Sequence, residues 1–517
     1  MNMTLDSSGQ ARQEIVSNLP CIYTKVGALR WRRVADNLRA SGARLLTLWG
    51  ADDRDRDGRF RIYAAYLVKE GVSVFEHPME QGRKPTYPSL AEIFPCALHM
   101  ERAIHDLFGI VSMEPDHRGW LRHCGWPQTV FPLRRDFDGN TKFSIDSQPY
   151  EFIQVEGDGV HEIAVGPVHA GTIEPGHFRF SVVGEKVLRL EERLGYTHKG
   201  VSKRFEEMLQ MEGHRLAARL SGDSAVAFSW AYCAALEAIT QTACPPRAAN
   251  LRALALEHER LANHLGDLGA LGNDAGFAFG LTQFSRMKED LLRMNASVFG
   301  ARYLFDFVQP GGVAVDLPDR AIRLLLDHYL LLEEGVSSLR AIYDNHAGLQ
   351  DRFRDAGILK QDLAERLGAI GLAGRASGIS TDLRVDYSYS PYNRLKPKLV
   401  TQSTGDVAAR VQVRFDEVFE SVRLCRMLLE EPVAGPIRME CPSPPPGRLG
   451  LGLIEGWRGP VLIALESGPD GTIRRCHAHD PSWQNWPLIE YAILGNIVPD
   501  FPLINKSFNL SYSGHDG

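Results

Sequence analysis

Apolar and polar residues partly alternate along Arg59–Ser73 (RFRIYAAYLVKEGVS). That is the period of a half-buried strand, and Glu70-Gly71 supplies a turn. From Leu90 to Ile110 the spacing becomes helical and ends at Gly109. Pro and Gly punctuate Trp126–Asp138, which reads as an extended surface arm. A new unit begins near Tyr150, where Glu162–Phe180 and Val182–Leu190 predict a small antiparallel sheet with Gly184-Glu185 as its hairpin turn. Beyond Gly200, apolar residues recur at helical spacing over Ala248–Leu271, Ser285–Asp306 and Asp319–Asn345. Long amphipathic helices of this kind bundle. Pro442–Pro446 (PSPPP) breaks the pattern, strands are predicted at Val461–Ser467 and Ile473–His477, and a helix over Trp486–Gly495 precedes an irregular tail. The expected fold class is α+β, with an α/β unit over residues 1–150 and a small antiparallel sheet plus long helix bundle over residues 151–517.

Composition narrows the function. A chain of 517 residues exceeds one ordinary core. The 58 basic and 64 acidic residues give a net charge of -6. No basic run with interleaved aromatics appears, so nucleic acid is not an expected partner. No apolar stretch approaches the ~20 residues that cross a bilayer. The polar start MNMTLDSSGQARQEI lacks a signal-peptide core. The expectation is a cytoplasmic chain that reaches any membrane through partners. The eight cysteines (Cys21, Cys96, Cys124, Cys233, Cys244, Cys425, Cys441 and Cys476) form no CxxC pair. They read as buried packing residues rather than metal ligands.

Specific strings then carry a resemblance. Glu101-Arg102-Ala103-Ile104-His105-Asp106-Leu107-Phe108-Gly109-Ile110, followed by Pro115-Asp116-His117-Arg118 and Pro132-Leu133-Arg134-Arg135-Asp136-Phe137, resembles the small peripheral-arm subunit of respiratory complex I. The pair Arg134-Arg135 beside a Pro-rich arm suits docking onto an acidic partner, or is an ordinary solvated face. The second unit carries Gly166-Pro167-Val168-His169, Leu194-Gly195-Tyr196-Thr197-His198-Lys199-Gly200, Glu257-His258-Glu259-Arg260-Leu261-Ala262-Asn263-His264, Asp382-Leu383-Arg384 and Gly405-Asp406. These resemble the large subunit of membrane-bound, energy-converting NiFe hydrogenases and its complex I relative, which forms the quinone site. The resemblance runs from about residue 15 onward.

Within it, Ile173-Glu174-Pro175-Gly176-His177-Phe178-Arg179 is similar to the hydrogenase loop whose glutamate passes protons, a task suited to a carboxyl whose pKa is lifted by partial burial. The plain alternative for Glu174 is a strand-end carboxylate capping a neighbour. Glu455-Gly456-Trp457-Arg458-Gly459 is similar to the loop that holds a guanidinium over the metal, and Arg458 could equally form a structural salt bridge. At the metal site itself the resemblance implies four cysteines in two CxxC pairs. The helix expected over Arg219–Tyr232 puts Ser221 and Ser224 at the first pair, and Ser511-Tyr512-Ser513-Gly514 puts Ser511 and Gly514 at the second. A hydroxyl does not deprotonate near neutral pH as a thiol beside a metal does, so serine does not replace thiolate on a soft nickel–iron centre. An extension of the kind removed after metal insertion is likewise not expected. The quinone-binding tyrosine and histidine of complex I are missing too, their counterparts falling at Gly222 and within Ala170–Ile173.

The resemblance therefore implies a peripheral-arm subunit of a complex I-like or hydrogenase-related ion-pumping oxidoreductase, without a NiFe site of its own. A cavity lined by Glu174, His169, Asp223, Asp382, Arg384 and Arg458 would carry protons or electrons, with Glu174, Arg458, His169 and Asp382 as the candidate catalytic residues. The alternatives are a catalytically silent scaffold that couples partners to ion-translocating membrane subunits, or a quinone-reducing subunit with an altered site. Implied partners are an iron–sulfur small subunit holding a 4Fe-4S cluster and antiporter-like membrane subunits, in a hetero-oligomeric complex on the cytoplasmic side of the inner membrane. No Gly-rich phosphate turn opens a helix, so no cofactor is expected on this chain and any NAD would bind elsewhere in the complex.

Overall fold

The computed structural model describes residues 3–5, 11–14, 17–82, 84–123, 125–144, 150–169 and 173–517, so Cys124 and residues 170–172 lie outside it. Six strands, β1 (Met3–Leu5), β2 (Ala11–Glu14), β3 (Cys21–Lys25), β4 (Arg44–Asp53), β5 (Arg59–Val68) and β6 (Gly71–Pro78), pair in the order β1-β2-β3-β6-β5-β4. β5 and β6 form the expected hairpin, with Val68 opposite Gly71. Helix α1 (Ala28–Ala40) links β3 to β4, and β3 lies parallel to β6. Helix α2 (Ala97–Phe108) starts later than its apolar spacing suggests. Pro95 disfavours helical backbone at Phe94 before it, and Gly109, in the left-handed region at φ 69°, ends the helix. α2 presses onto β4 at Gly50, where a Cβ would stand 2.8 Å from the Phe108 ring.

Residues 126–138 do not form a free arm. Arg134 lies over the Phe131 ring at 4.2 Å and donates to Phe108 O at 2.7 Å. Arg135 donates from its backbone to Asp52 (3.0 Å) and from its guanidinium to Arg474 O (2.9 Å). The basic pair is tied to the chain by these contacts and is half-buried.

The second sheet comprises β7 (Val160–Val165), β8 (His177–Val183) and β9 (Lys186–Arg193), all antiparallel, with Gly184-Glu185 as the turn between Val183 and Lys186. The strand expected over Glu162–Phe180 is interrupted between β7 and β8, where Pro167 and Pro175 deny ladder donors. The bundle contains α3 (Ala225–Thr240), α4 (Pro246–Asp274), α5 (Ala278–Phe299), α6 (Asp319–Asn345) and α7 (Val407–Glu430). α5 stops at Gly300, whose φ of 87° ends it short of the expected Asp306. α7 escaped periodicity because it buries Arg410, Arg414, Glu417 and Glu420 alongside its apolar residues.

A third sheet, β10 (Leu449–Glu455), β11 (Pro460–Ser467) and β12 (Ile473–His479), packs on α3. The approach is close enough that a Cβ on Gly452 would stand 1.9 Å from Ala231 O. The tail expected to be irregular is helical: after α8 (Ser482–Ala492) come α9 (Phe501–Phe508) and α10 (Tyr512–Asp516). β12 joins the bundle unit to the first sheet. The Thr47 hydroxyl and His477 Nε2 are 2.8 Å apart, His477 stacks on Trp49 at 4.9 Å, and Gln484 donates to Leu46 O. One apolar core runs from Trp31 and Trp49 through Leu453 to Leu265. Among the described residues, no helix is long and apolar enough to cross a membrane. Six of the cysteines are buried and unpaired, and burial pushes the Cys21 and Cys96 thiols up to about 12.

Candidate functional site

Two turns meet. Residues 221–224 lie outside the helix expected there. Ser224 N donates to Ser221 O (3.0 Å) in a tight turn, and α3 begins only at Ala225. Asn509, in the left-handed region at φ 45°, ends α9, and Ser511 then caps α10 by accepting Gly514 N at 2.8 Å. Serine is favoured at such a cap because its oxygen satisfies a first-turn N–H. The Ser221 and Ser511 hydroxyls, 290 residues apart in sequence, stand 2.8 Å apart and are buried. Ser221 donates its one proton to Asp223 Oδ1 (2.7 Å), so the bond between the serines is donated by Ser511.

Arg458 closes the cluster. Its two Nη atoms hold Asp223 at 2.8 and 2.6 Å, Nη1 reaches Ser224 Oγ at 3.3 Å, and Nε donates to Asn509 O at 2.6 Å. Burial opposes ionisation of Asp223, but Arg458 and the Ser221 hydroxyl together hold it at about 2. The Asp223 backbone carbonyl accepts Trp457 Nε1 and Asn263 Nδ2, both at 2.8 Å. Four of the five guanidinium N–H groups are engaged, and the pair with Asp223 is a salt bridge. Asp480 stands on the far side of Gly514. Its Oδ1 accepts Ser482 N at 2.8 Å, its Oδ2 has no partner, and burial raises its pKa against the pull of Arg458. A Cβ on Gly514 would meet Asp480 Oδ2 at 2.6 Å and Ser511 Oγ at 2.8 Å. On the open side, a Cβ on Gly222 would meet only the Phe305 ring, at 3.8 Å.

The other candidates divide. Glu174 reaches the second turn, where Oε2 accepts Ser513 N at 3.1 Å. His169 turns back onto its own loop, with Nε2 2.8 Å from Gly176 O, and that loop abuts Tyr512. Asp382 and Arg384 are not brought to the serines. Arg384 binds Asp382 (2.7 Å) and Glu257 (3.0 Å), and Arg375 binds Glu417 (2.7 Å) and Glu455 (3.0 Å), in a separate buried ionic network. Asp382 is paired there with Arg384 and acts as its counter-ion, away from the serines. Sequence reasoning missed Asp480, although an acid two residues before Ser482 at a helix start is a capping signal. It also passed over Glu259, which accepts Val226 N (2.6 Å) and Ala227 N (3.2 Å) at the start of α3 and is raised by burial to about 8.

Family models match two parts of this architecture: "Respiratory-chain NADH dehydrogenase, 30 Kd subunit" over residues 24–143 and "Respiratory-chain NADH dehydrogenase, 49 Kd subunit" over residues 274–448. Formate hydrogenlyase subunit 5 of Escherichia coli (strain K12) is 30% identical over 483 residues, covering 92% of this chain and 85% of the relative. Hydrogenase-4 component G of the same organism is 30% identical over 480 residues, covering 91% and 83%. The chain belongs to this family of fused hydrogenase-type large subunits. On the complex I side, NADH-quinone oxidoreductase subunit 4 of Thermus thermophilus is 29% identical over 392 residues, covering 71% of this chain and 96% of that one. A chain of the membrane-bound sulfane sulfur reductase (MBS), described as an archaeal respiratory membrane complex, shares the fold, with a TM-score of 0.66 at 23% identity over 69% of this chain and 99% of that one. In this member of the family, Ser221, Ser224, Arg458, Ser511 and Gly514 all lie outside the ranges that the two models match.

Proposed function

We propose that this chain is the peripheral large subunit of a membrane-associated, complex I-like oxidoreductase complex and holds no nickel–iron group of its own. The observation that carries the second half is the donor set. The four positions that the resemblance lays on the family's thiolates are three serines and a glycine, and Ser221 and Ser511 are hydrogen-bonded directly to each other. No soft donor is present among them, and Asp480 fills the space into which a side chain at 514 would project. No metal-dependent step is therefore assigned to the cluster.

The partners that fit are an iron–sulfur small subunit with a 4Fe-4S cluster and antiporter-like membrane subunits, with the chain on the cytoplasmic face of the inner membrane and any NAD bound elsewhere in the complex. The experiment is metal analysis of the complex purified through a tag on this chain. Iron and sulfide are expected without nickel, and stoichiometric nickel overturns the reading.

A second reading, a quinone-reducing subunit with an altered site, starts from the open side at Gly222, where a side chain would meet only the Phe305 ring within 4 Å. Reduction of a quinone analogue by the complex, abolished by Gly222→Leu, would establish it. If the chain is instead a silent scaffold, Glu174→Gln and Arg458→Lys leave ion transport unchanged.

A further inference from the structure

Behind the C-terminal segment, on β9, Glu192 is buried (1% exposed) and neither of its carboxyl oxygens has a hydrogen-bond partner. A buried carboxylate is ordinarily met by donors or a cation, because an unpaired buried charge is strongly unfavourable. What surrounds Glu192 is acid. Glu490 of α8 accepts the backbone N–H of Glu192 at 3.0 Å, which fixes its carboxyl against the same strand. Asp516 of α10 approaches from another side, already satisfied by Thr197 N (2.9 Å), Thr197 Oγ1 (2.6 Å) and His515 Nδ1 (2.8 Å). Tyr512 of the same helix also faces Glu192, as well as Glu174.

Most nearby cations are engaged elsewhere. Arg118 takes the adjacent Glu191 at 2.6 Å, and Arg193 donates to the carbonyls of Trp120 and Arg122. Arg102 is committed to Arg118 O, Gly119 O and the Tyr150 hydroxyl. Arg189, whose Nε has no hydrogen-bond partner, acts with Arg102 on Glu490. Lys199 faces Glu174 and Asp516.

We propose that Glu192 is a proton-binding site, a buried carboxyl that keeps its proton at neutral pH. Burial, then repulsion from Glu490 and Asp516, raises Glu192 well above the ordinary carboxylate range, and burial lifts Glu490 to about 7. Ionisation of both would set three negative charges around α10, the helix whose first turn carries Ser511 and Gly514. The inference is independent of which redox reading of the chain is correct.

The test uses the full chain, wild type, Glu192→Gln and Glu490→Gln. Infrared spectra in deuterated buffer at neutral pH should show a protonated-carboxyl C=O component in the wild type that is missing in Glu192→Gln. Stability gives a second readout. A folded-state pKa raised above the ordinary 4.5 means that stability is full below 4.5 and is lost as pH rises toward the folded value. The unfolding constant of the wild type relative to Glu192→Gln should rise about tenfold per pH unit over that interval. In Glu490→Gln the component should disappear at lower pH than in the wild type, because one source of repulsion is gone. That arm decides the matter if Glu192→Gln does not fold. An unchanged C=O region with a pH-independent stability ratio, or an unshifted component in Glu490→Gln, overturns the proposal.

Discussion

Gly514→Ala measures whether Asp480 occupies the space of a side chain at the fourth position. Gly514 lies inside α10, so alanine there should gain up to about 1 kcal/mol of helix propensity. Against this, the new Cβ would stand 2.6 Å from Asp480 Oδ2, 2.8 Å from Ser511 Oγ and 2.9 Å from Asp480 Cγ. None of these gives way freely. Asp480 is pinned by Ser482 N, Ser511 by Ser221 and Gly514 N, and both side chains are buried. Overpacking of this kind costs about 1–3 kcal/mol, so the net expectation is a loss of about 1–2 kcal/mol. Asp480→Ala removes the obstructing carboxylate at the expense of one hydrogen bond to Ser482 N, about 1 kcal/mol. In the double variant the contacts with Asp480 are gone and the approach to Ser511 Oγ remains, so the two effects should couple by about 1–2 kcal/mol. Denaturant unfolding of the four proteins, followed by tryptophan fluorescence, supplies the cycle. Additivity within about 0.5 kcal/mol, or a Gly514→Ala protein more stable than wild type, would refute the packing argument.

Arg458→Gln leaves Asp223 without its guanidinium. Discounted because Asp223 retains 36% side-chain exposure, the loss should be about 2 kcal/mol. With Arg458 present, stability contributed by Asp223 holds above its ordinary 3.8 and falls as pH drops toward about 2, so thermal melts of wild type should steepen over that interval and those of Arg458→Gln should not. Thr47→Val removes the hydroxyl that meets His477 across the seam between β4 and β12; about 1–2 kcal/mol should be lost, read as a lower denaturation midpoint. Gly452→Ala would force a Cβ to 1.9 Å from a backbone oxygen, which cannot rotate away. It should cost more than about 3 kcal/mol and leave little soluble protein, whereas Gly27→Ala, with nothing within 4 Å, should stay within about 0.5 kcal/mol of wild type.

Much of this architecture was legible in apolar spacing: α6 presents one face to solvent and one to the core, and the β5–β6 hairpin was marked by its turn although Ile62–Leu67 are buried on both faces. α7 was invisible to the same method: its buried face carries Arg410, Arg414 and Glu417, so polarity no longer marks exposure. The tail was misread for a related reason. α9 and α10 are short, and Asn509 separates them in a conformation that a motif of serines does not announce. The convergence of residues 221–224 with 511–514 came from family resemblance, since no local pattern joins segments 290 residues apart. Asp480 was missed because its significance lies in the empty position at Gly514, which only packing reveals.

The ionic network that receives Asp382 has a definite relation to the hydroxyl cluster. A four-residue stretch, Glu455 to Arg458, spans both. Glu455 is fixed by Arg375 (3.0 Å) and by Leu383 N (3.2 Å), while Arg260 donates to the carbonyls of Glu455 (2.9 Å) and Gly456 (3.2 Å). Trp457 then donates to Asp223 O, and Arg458 grips the Asp223 carboxylate. Each residue of the stretch is thus held at a different point. The guanidinium arrives at Asp223 with its backbone already immobilised, which lowers the entropy lost in making a bidentate pair. Asp382, bound by Arg384 and 3.7 Å from Arg375, stabilises the charges that hold Glu455. Its replacement by asparagine should therefore loosen Arg458 without touching the serines. Crystallographic order of the Trp457–Arg458 stretch would fall in that variant, while the 2.8 Å contact between Ser221 and Ser511 persists.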